Sequence, residues 1–306
     1  MADRPRVVAI VGPTGTGKSD LAAELARRTG AEVIGCDSMQ VYRGMDIGTA
    51  KPSRELRAEI PHHAIDIAAP DEPMSAGRYA DCARRAAHEI RTRGRPVILC
   101  GGSGLYARAF AGGLISGVEA DPALRAELEA RSSESLQAEL RERDRTSAER
   151  IPPGDRIRLV RALEIARLAG SPVSEVHARH GFGDRPFELR WFGLHLDRGE
   201  LWSRLRARVD RMFAAGLIDE VRSLHAAGYT SELRPLQSIG YREVGRVLDG
   251  RLTESEARES IWLATRRYAK RQRTWFRAES GLEWLPAADP DAALERARIE
   301  LEKAGP

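Results

Sequence analysis

A possible phosphate site lies near the N-terminus, in the run Gly12-Pro13-Thr14-Gly15-Thr16-Gly17-Lys18-Ser19. The spacing G-x-x-x-x-G-K-[ST] is typical of a loop that binds phosphates between a strand and a helix. Its glycines let backbone N–H groups approach the oxygens of a diphosphate, and the helix N-terminus adds partial positive charge. Lys18 would neutralise the distal phosphate, and Ser19 could bind Mg²⁺. We therefore predict a diphosphate site in this loop.

A carboxylate that could act with this loop is Asp37, which follows the second predicted strand. A nucleotide hydrolase or kinase usually carries an acid at the end of a later strand, but the third predicted strand runs into Cys100-Gly101-Gly102-Ser103-Gly104. Strands that follow each other in sequence are often neighbours in a sheet, so we expect Asp37 near the loop. An aspartate there can bind magnesium, act as a general base or cap a helix. The residue types alone leave all three roles open.

The elements that must position these groups alternate between strand and helix. Apolar runs at 6–11, 32–36 and 97–100 predict buried strands, and helical spacing predicts helices over 18–28 and around 76–93. Such alternation indicates a parallel sheet covered by helices, with the chemistry at the carboxyl ends of the strands. We predict an α/β fold with a P-loop NTPase-like sheet core.

The pattern changes after about residue 115, and it predicts three segments. Residues 1–115 form the first part of the core, and 116–189 form an inserted helical domain. Within the insertion, Asp121-Pro122 predicts a helix start, and Asp155 and Gly170 predict the two ends of another helix. Residues 190–306 return to the core as one strand followed by helices.

Composition excludes several classes of protein. The chain has 306 residues, of which 42% are hydrophobic and 31% charged, so it is neither disordered nor fibrous. It has no apolar run of about 20 residues for a membrane helix. The N-terminus leads directly into a strand-like run, so we expect no secretory signal. Three cysteines without a C-x-x-C motif argue against disulfides or zinc. We expect a cytoplasmic protein.

The distribution of charge suggests a polyanionic partner. The net charge is +4, but residues 190–278 contain 18 basic and 11 acidic residues, and 266–277 contain six basic residues and no acid. Tyr268, Trp275 and Phe276 lie among these basic residues. Aromatic and basic residues in alternation suit RNA, although the aromatic side chains would also fit a helix face packed on the core. We favour core packing for the aromatics and phosphate contact for the basic residues.

Six further motifs occur together with the phosphate loop in one order along the chain. These are CDSMQVYRGMDIGTAKP (36–52), PHHAIDI (61–67), GGSGLY (101–106), RLVRALEI (158–165), SIGYRE (238–243) and AKRQRTWFR (269–277). Together they strongly resemble the tRNA dimethylallyltransferase family, also called tRNA isopentenyltransferases. Gly15-Thr16 and Ser103 depart mildly from the usual family residues. The resemblance spans about residues 6–278.

The resemblance implies transfer of a dimethylallyl group from dimethylallyl diphosphate to the exocyclic amine of the adenosine just 3′ of the tRNA anticodon, with Mg²⁺. It implies that Asp37 is the general base, that Thr14 and Lys18 act on the leaving diphosphate, and that Arg208 helps to hold it. It also implies a set of residues that contact tRNA. These are Asp37, Ser38, Met39, Gln40, Ser103, Arg125, Ile157, Arg158, Leu159, Val160, Arg161, Gln237, Ser238, Ile239, Gly240, Tyr241 and Arg242. We expect a monomer.

Three other functions were weighed against this one. A P-loop kinase or NTPase would use Asp37 to activate an acceptor hydroxyl. A prenyl transferase acting on free adenine nucleotides would need neither the helical insertion nor the basic C-terminal helix. A tRNA-binding module with an inactive phosphate loop is disfavoured because every motif residue is intact.

Four other residues are expected to be structural. His62 and His63 are predicted to make structural hydrogen bonds within a loop. Cys36 and Cys100 end strand-like runs and are predicted to be buried packing residues.

Overall fold

Six strands form one sheet in the computed structural model, which describes residues 4–113, 121–180 and 185–303. The strands are β1 (Arg6–Val11), β2 (Glu32–Gly35), β3 (His62–His63), β4 (Val97–Gly101), β5 (Glu188–His195) and β6 (Leu282–Pro286). They lie in the order β3-β2-β4-β1-β5-β6, and every pairing is parallel. The predicted parallel sheet is therefore confirmed.

Helices make up most of the rest of the described chain, with a short 3₁₀ turn at Arg234–Gln237. They are α1 (Lys18–Thr29), α2 (Arg54–Glu59), α3 (Ala76–Thr92), α4 (Gly104–Gly112), α5 (Pro122–Glu129), α6 (Ser133–Arg143), α7 (Arg145–Arg150), α8 (Arg156–Ala169), α9 (Val173–His180), α10 (Arg198–Ala214), α11 (Leu217–Ala226), α12 (Tyr241–Leu248), α13 (Glu254–Arg277) and α14 (Pro290–Glu302). Among the described residues, no helix is both long and apolar enough to cross a membrane.

The sheet is buried between two apolar layers. One cluster joins the strands to α1 and α14 through Leu25 and Leu294. The other joins them to α3, α4 and α13 through Tyr79, Phe110 and Phe276. Continuous apolar strands are what a parallel sheet covered on both faces requires. Because helices cover both faces of the sheet, the loops that could carry function collect at the carboxyl ends of its strands.

One expectation about the sheet is wrong. β1 and β2 are not neighbours, because β4 lies between them and pairs with both, as in the registers Val8↔Ile98 and Ile34↔Leu99. Adjacency in sequence is only a tendency, and a crossover through α3 can return the chain on either side of β2. Since all strands are parallel, Asp37 and the phosphate loop still reach the same edge.

A second correction concerns the C-terminal segment, which carries β6 in addition to the one predicted strand. β6 pairs with β5 at the edge of the sheet, in the register Trp191↔Leu282. Gly281, with φ of 78°, ends the preceding turn, and Pro286 closes a strand of five residues. A proline is tolerated on an edge strand, which needs fewer N–H donors. So short a run carries little periodicity, which is why it read as part of a helical region.

The chain divides into two units, of which one is Met1–Ala111 with Pro186–Pro306 and the other is Gly112–Arg185. These bounds differ from the predicted 116–189, and residue 116 lies outside the described residues. The difference at the C-terminal side arises because Phe187 belongs to the sheet core, where its ring stacks on Phe110 at 5.1 Å. Strand β5 begins one residue later.

The second unit is helical and has its own core of leucines. Helices α5 to α9 pack around Leu128, Leu136, Leu140, Leu159 and Leu163. The predicted helix ends are confirmed. The Asp121 carboxylate accepts hydrogen bonds from the first turn of α5, Asp155 does the same for α8, and Gly170 ends α8 with φ of 63°.

Candidate active site

The phosphate loop connects β1 to α1, as predicted. Gly12, Gly15 and Gly17 have φ values of 126°, 86° and 86°, in the left-handed region that favours glycine. A Cβ atom on Gly12 would lie 2.9 Å from the Leu194 carbonyl oxygen. The Lys18 ammonium donates to the Pro13 carbonyl oxygen at 2.6 Å. The lysine is therefore held against the loop.

A cavity of 770 Å³ opens over this loop. It is lined by Thr14, Lys18, Ser19, Asp37, Gln40 and Arg208, among other residues. Burial and, to a smaller extent, the nearby Arg208 lower the pKa of Lys18 to about 8, although Asp37 opposes this effect. Burial also lowers the pKa of Arg208. Two cations held away from water are stabilised by an anion, and a diphosphate would supply one.

Asp37 uses one carboxylate oxygen for local structure. Its Oδ1 accepts hydrogen bonds from the backbone N–H groups of Met39 at 2.8 Å and Gln40 at 3.4 Å. Its Oδ2 has no hydrogen-bond partner among the residues that the structure describes. Asp37 therefore caps a turn and not a helix, since in the described chain no helix begins between it and α2 at Arg54, and one oxygen remains for a proton or a cation.

A second cavity, of 690 Å³, adjoins the first. The two share Gly102 and Gln272 in their linings. The second cavity is also lined by Ser38, Met39, Ser103, Tyr268, Arg271 and Trp275. Ser103 fixes one wall by accepting a hydrogen bond from the Ser38 N–H at 2.9 Å. An aromatic and basic cavity beside an anion site can hold a nucleobase.

Comparison with known proteins identifies the family. The IPP transferase family model matches residues 40–279. The chain belongs to the IPP transferase family. It is 46% identical over 286 residues to a tRNA dimethylallyltransferase of Geobacter sulfurreducens, covering 92% of each chain.

Solved structures agree with this family. A tRNA isopentenylpyrophosphate transferase of Bacillus halodurans has a TM-score of 0.72 at 38% identity and 98% coverage of both chains. A eukaryotic dimethylallyltransferase acting on tRNA has a TM-score of 0.86 at 27% identity, covering 99% of this chain and 80% of that one. The resemblance seen in the sequence is confirmed.

The aromatic residues of α13 divide between two environments in this IPP transferase. Phe276 is 1% exposed and belongs to the core, as expected. Tyr268 and Trp275 both line the second cavity, but Trp275 also packs against the core, so the expectation of core packing is wrong for Tyr268 alone. Trp275 is less buried than Phe276, which follows it directly, because one residue turns a helix by about 100°.

Several predicted tRNA contacts are unsuited to that role. Leu159 and Val160 are 0% and 4% exposed and pack in the core of the helical unit. Tyr241 is 1% exposed, and its hydroxyl donates to Glu220 at 2.6 Å. We therefore assign a structural role to these three side chains in place of the predicted tRNA contact. A run of consecutive helical residues must turn some side chains inward, and these are the apolar ones.

Most of the other predicted tRNA residues have polar or accessible side chains. Ile157 is 75% exposed, and Arg158 is exposed beside it. In the same unit Arg125 and Arg161 pair with the buried Glu164 at 2.7 and 2.6 Å. The remaining predicted contacts at 237–242 lie in the first unit. Gln237 and Arg242 are exposed there, whereas Ser238 and Ile239 are half-buried and Gly240 is buried.

The histidines and cysteines are structural. His62 Nδ1 lies 2.7 Å from the Ile60 carbonyl oxygen, and His63 Nε2 lies 2.6 Å from a Glu32 carboxylate oxygen, but both residues form β3 rather than a loop. Cys36 is fully buried, as expected. Cys100 lines the first cavity, where burial raises the pKa of its thiol to about 11, so it stays neutral.

Glu220 was not predicted from the sequence, yet it holds one wall of the first cavity. Its carboxylate accepts from the backbone N–H groups of Asp46, Ile47 and Gly48 at 2.9, 2.7 and 3.1 Å, and from the hydroxyl of Tyr241. Asp46, Ile47 and residues 49–52 line the cavity. An acid in the first turn of α11 resembles an ordinary helix-end residue, so the sequence offered no signal.

Glu220→Gln should lower the free energy of unfolding by about 2 kcal/mol. The glutamine amide has one acceptor oxygen, and its own N–H groups would face some of the donors that the carboxylate now accepts from. Thermal or urea unfolding measures the change. The matched control is Glu295→Gln, which removes an exposed ion pair with Arg298 and should change stability by less than about 0.5 kcal/mol. Equal stability of the two variants would contradict the role of Glu220 in holding the backbone at 46–48.

Proposed function

We propose that this protein transfers a dimethylallyl group from dimethylallyl diphosphate to the exocyclic amine of the adenosine 3′-adjacent to the anticodon in tRNA. The observation that carries the proposal is that Lys18 of the phosphate loop and Asp37 line one cavity. That cavity adjoins a second one with aromatic and basic walls. Relatives named as tRNA dimethylallyltransferases support it.

The reaction assigns a task to each side chain in the cavity. The allylic carbon–oxygen bond breaks, and the diphosphate leaves with the electron pair. Loop N–H groups, Lys18 and Arg208 stabilise its charge, and the Thr14 hydroxyl donates to the bridging oxygen. A nitrogen–carbon bond forms, and the amine passes its proton to Asp37. The amine is a weak nucleophile because its lone pair is delocalised, so positioning also matters.

Magnesium fits the donor groups of this cavity. The Ser19 hydroxyl is a hard oxygen ligand of the kind that Mg²⁺ prefers, which leaves the free oxygen of Asp37 to accept the proton. Among the described residues, no group of three or more His, Cys, Asp or Glu could hold a metal by itself. The cation would then also be bound by oxygens of the diphosphate, as Mg²⁺ usually is in phosphate sites. Bound there by Ser19, it would neutralise charge on the leaving group.

The tRNA side of the proposal rests on basic and exposed residues. The second cavity is lined by Arg234 and Arg271, and Arg273 and Lys270 lie on another side of α13. Such residues suit phosphate contacts. The target adenine would leave its stack to enter the second cavity, as base-modifying enzymes require. We further propose RNA contact for the helical unit through Ile157 and its neighbours.

Two alternatives are not favoured. A kinase would be expected to carry an acid at the end of β4, where the chain has Gly101 and Gly102. A transferase for free adenine nucleotides would need no RNA surface, whereas the relatives are named for tRNA.

One assay tests the proposed function. The protein is incubated with dimethylallyl diphosphate, Mg²⁺ and unmodified tRNA, and the nucleosides are analysed by mass spectrometry. We expect a prenylated adenosine next to the anticodon. Parallel reactions with AMP as acceptor, or with labelled ATP in place of the isoprenoid, address the two alternatives. Prenylated AMP without prenylated tRNA, or release of labelled phosphate alone, would reject the proposal.

A further inference from the structure

Gln272 of α13 lies in the wall shared by the two cavities. It is a polar side chain that is only 5% exposed, on a helix whose neighbouring side chains are mostly cationic or aromatic. A buried amide requires partners at both its oxygen and its nitrogen. Its partners therefore indicate what it does.

The amide of Gln272 joins two loops of the site. Its Oε1 accepts from the Thr14 N–H at 2.8 Å, and its Nε2 donates to the Gly102 carbonyl oxygen at 2.9 Å. A Cβ atom on Gly102 would lie 2.1 Å from this Nε2, so the close approach needs glycine. Both polar atoms of Gln272 are thus engaged with backbone groups, one in each of the two loops.

The bond to Thr14 fixes one peptide group of the phosphate loop. The carbonyl of the Pro13–Thr14 peptide accepts from Lys18 at 2.6 Å and from the Thr16 hydroxyl at 2.9 Å. The N–H of the same peptide is held by Gln272. When a diphosphate draws the Lys18 ammonium away, Thr16 and Gln272 are the contacts that keep this peptide in orientation.

We infer that Gln272 is a positioning residue: it orients the Pro13–Thr14 peptide, and with it the Thr14 side chain, for the departing diphosphate. The inference rests on the proposed function, in which Thr14 faces the bridging oxygen. Without the amide, the loop samples other orientations, and a ligand must restore the productive one at the expense of binding free energy. Binding of RNA along α13 does not depend on this contact.

The test replaces the amide and measures diphosphate binding separately from catalysis. Gln272→Met keeps the length of the side chain and removes both hydrogen bonds. We expect inorganic pyrophosphate, titrated with Mg²⁺ in a calorimeter, to bind about tenfold more weakly, as expected for the loss of one or two hydrogen bonds. We also expect kcat to fall about tenfold, with the KM for tRNA and the tRNA dissociation constant unchanged within about twofold.

The matched control is Gln137→Met in the helical unit. Gln137 is also 5% exposed, and its Nε2 donates to the Ala148 carbonyl oxygen at 2.8 Å. This variant makes the same chemical change at a buried glutamine and should leave pyrophosphate affinity unchanged. Gln272→Asn is the second test variant, because its shorter amide reaches only one of the two loops and should weaken pyrophosphate binding in the same direction. Thermal unfolding of each variant shows that it is folded.

The outcomes separate this inference from the proposed function. Pyrophosphate affinity that is unchanged in every folded variant at Gln272 would overturn the inference. So would a loss of tRNA affinity with normal pyrophosphate binding, since Gln272 would then be an RNA contact. Wild-type protein that forms no prenylated adenosine would reject the proposed function alone, because the pyrophosphate titration does not depend on turnover.

Discussion

Asp37→Asn is expected to lower turnover by a factor of about 10²–10⁴, the usual contribution of a general base. The substitution is chosen because asparagine keeps an oxygen that can accept from the Met39 and Gln40 N–H groups, as Oδ1 does now. It therefore preserves the cap and removes only the proton acceptor. Single-turnover formation of prenylated adenosine measures the effect, and filter binding should show unchanged tRNA affinity.

The control for this prediction is Asp81→Asn on the exposed face of α3, which should leave turnover unchanged. A folded Asp37→Asn variant with normal turnover would show that Asp37 only caps the turn. If tRNA affinity fell in proportion to turnover, Asp37 would be an RNA contact rather than a base. The same variant thus separates a capping role of Asp37 from a role in the reaction.

Lys18→Met should weaken pyrophosphate binding on the order of 100-fold, because it removes a charge partner of the diphosphate from a buried site. Methionine keeps most of the side-chain length, so packing beneath the loop is retained. In the free protein the variant loses only the hydrogen bond to the Pro13 carbonyl oxygen. Calorimetric titration of pyrophosphate with Mg²⁺ measures the change, and kcat/KM for dimethylallyl diphosphate should fall at least as far.

Lys303→Met is the matched control, since Lys303 lies beyond the end of α14 and pairs with Glu300 at 3.0 Å. Its effect on pyrophosphate affinity should be negligible. A Lys18→Met variant that is folded and binds pyrophosphate with wild-type affinity would remove the phosphate loop from the proposed function. The decrease predicted for Lys18 exceeds that for Gln272, because a charged contact to the ligand is stronger than a neutral contact to the loop.

Local sequence patterns accounted for the fold class and for the loop itself. The run Arg6–Val11, the glycines that follow it and the helix from Lys18 are each defined by residues close together in the chain. The helix ends at Asp121 and Gly170 were likewise predictable, because caps and left-handed glycines are local features. Strand β6 was missed since five residues at a sheet edge carry too little pattern.

The sequence was a poorer guide to which individual side chains point into the core and which point outward. The motifs that contain Leu159, Val160 and Tyr241 suggested RNA contact, but these side chains are buried. A motif marks a segment, whereas burial is decided by which neighbour packs on each side of that segment. Glu220 illustrates the same limit, because its partners at 46–48 come from a distant loop.

The sequence by itself determined the phosphate-loop motif, the parallel sheet behind it and the family to which the chain belongs, because each depends on residue types at fixed short spacings. Only the tertiary structure decided that Asp37 lines the cavity of Lys18 although β4 separates their strands. It also decided that Gln272 holds Thr14 from 258 residues away. The physical reason is that a hydrogen bond depends on distances in space, which the packing of helices on the sheet sets.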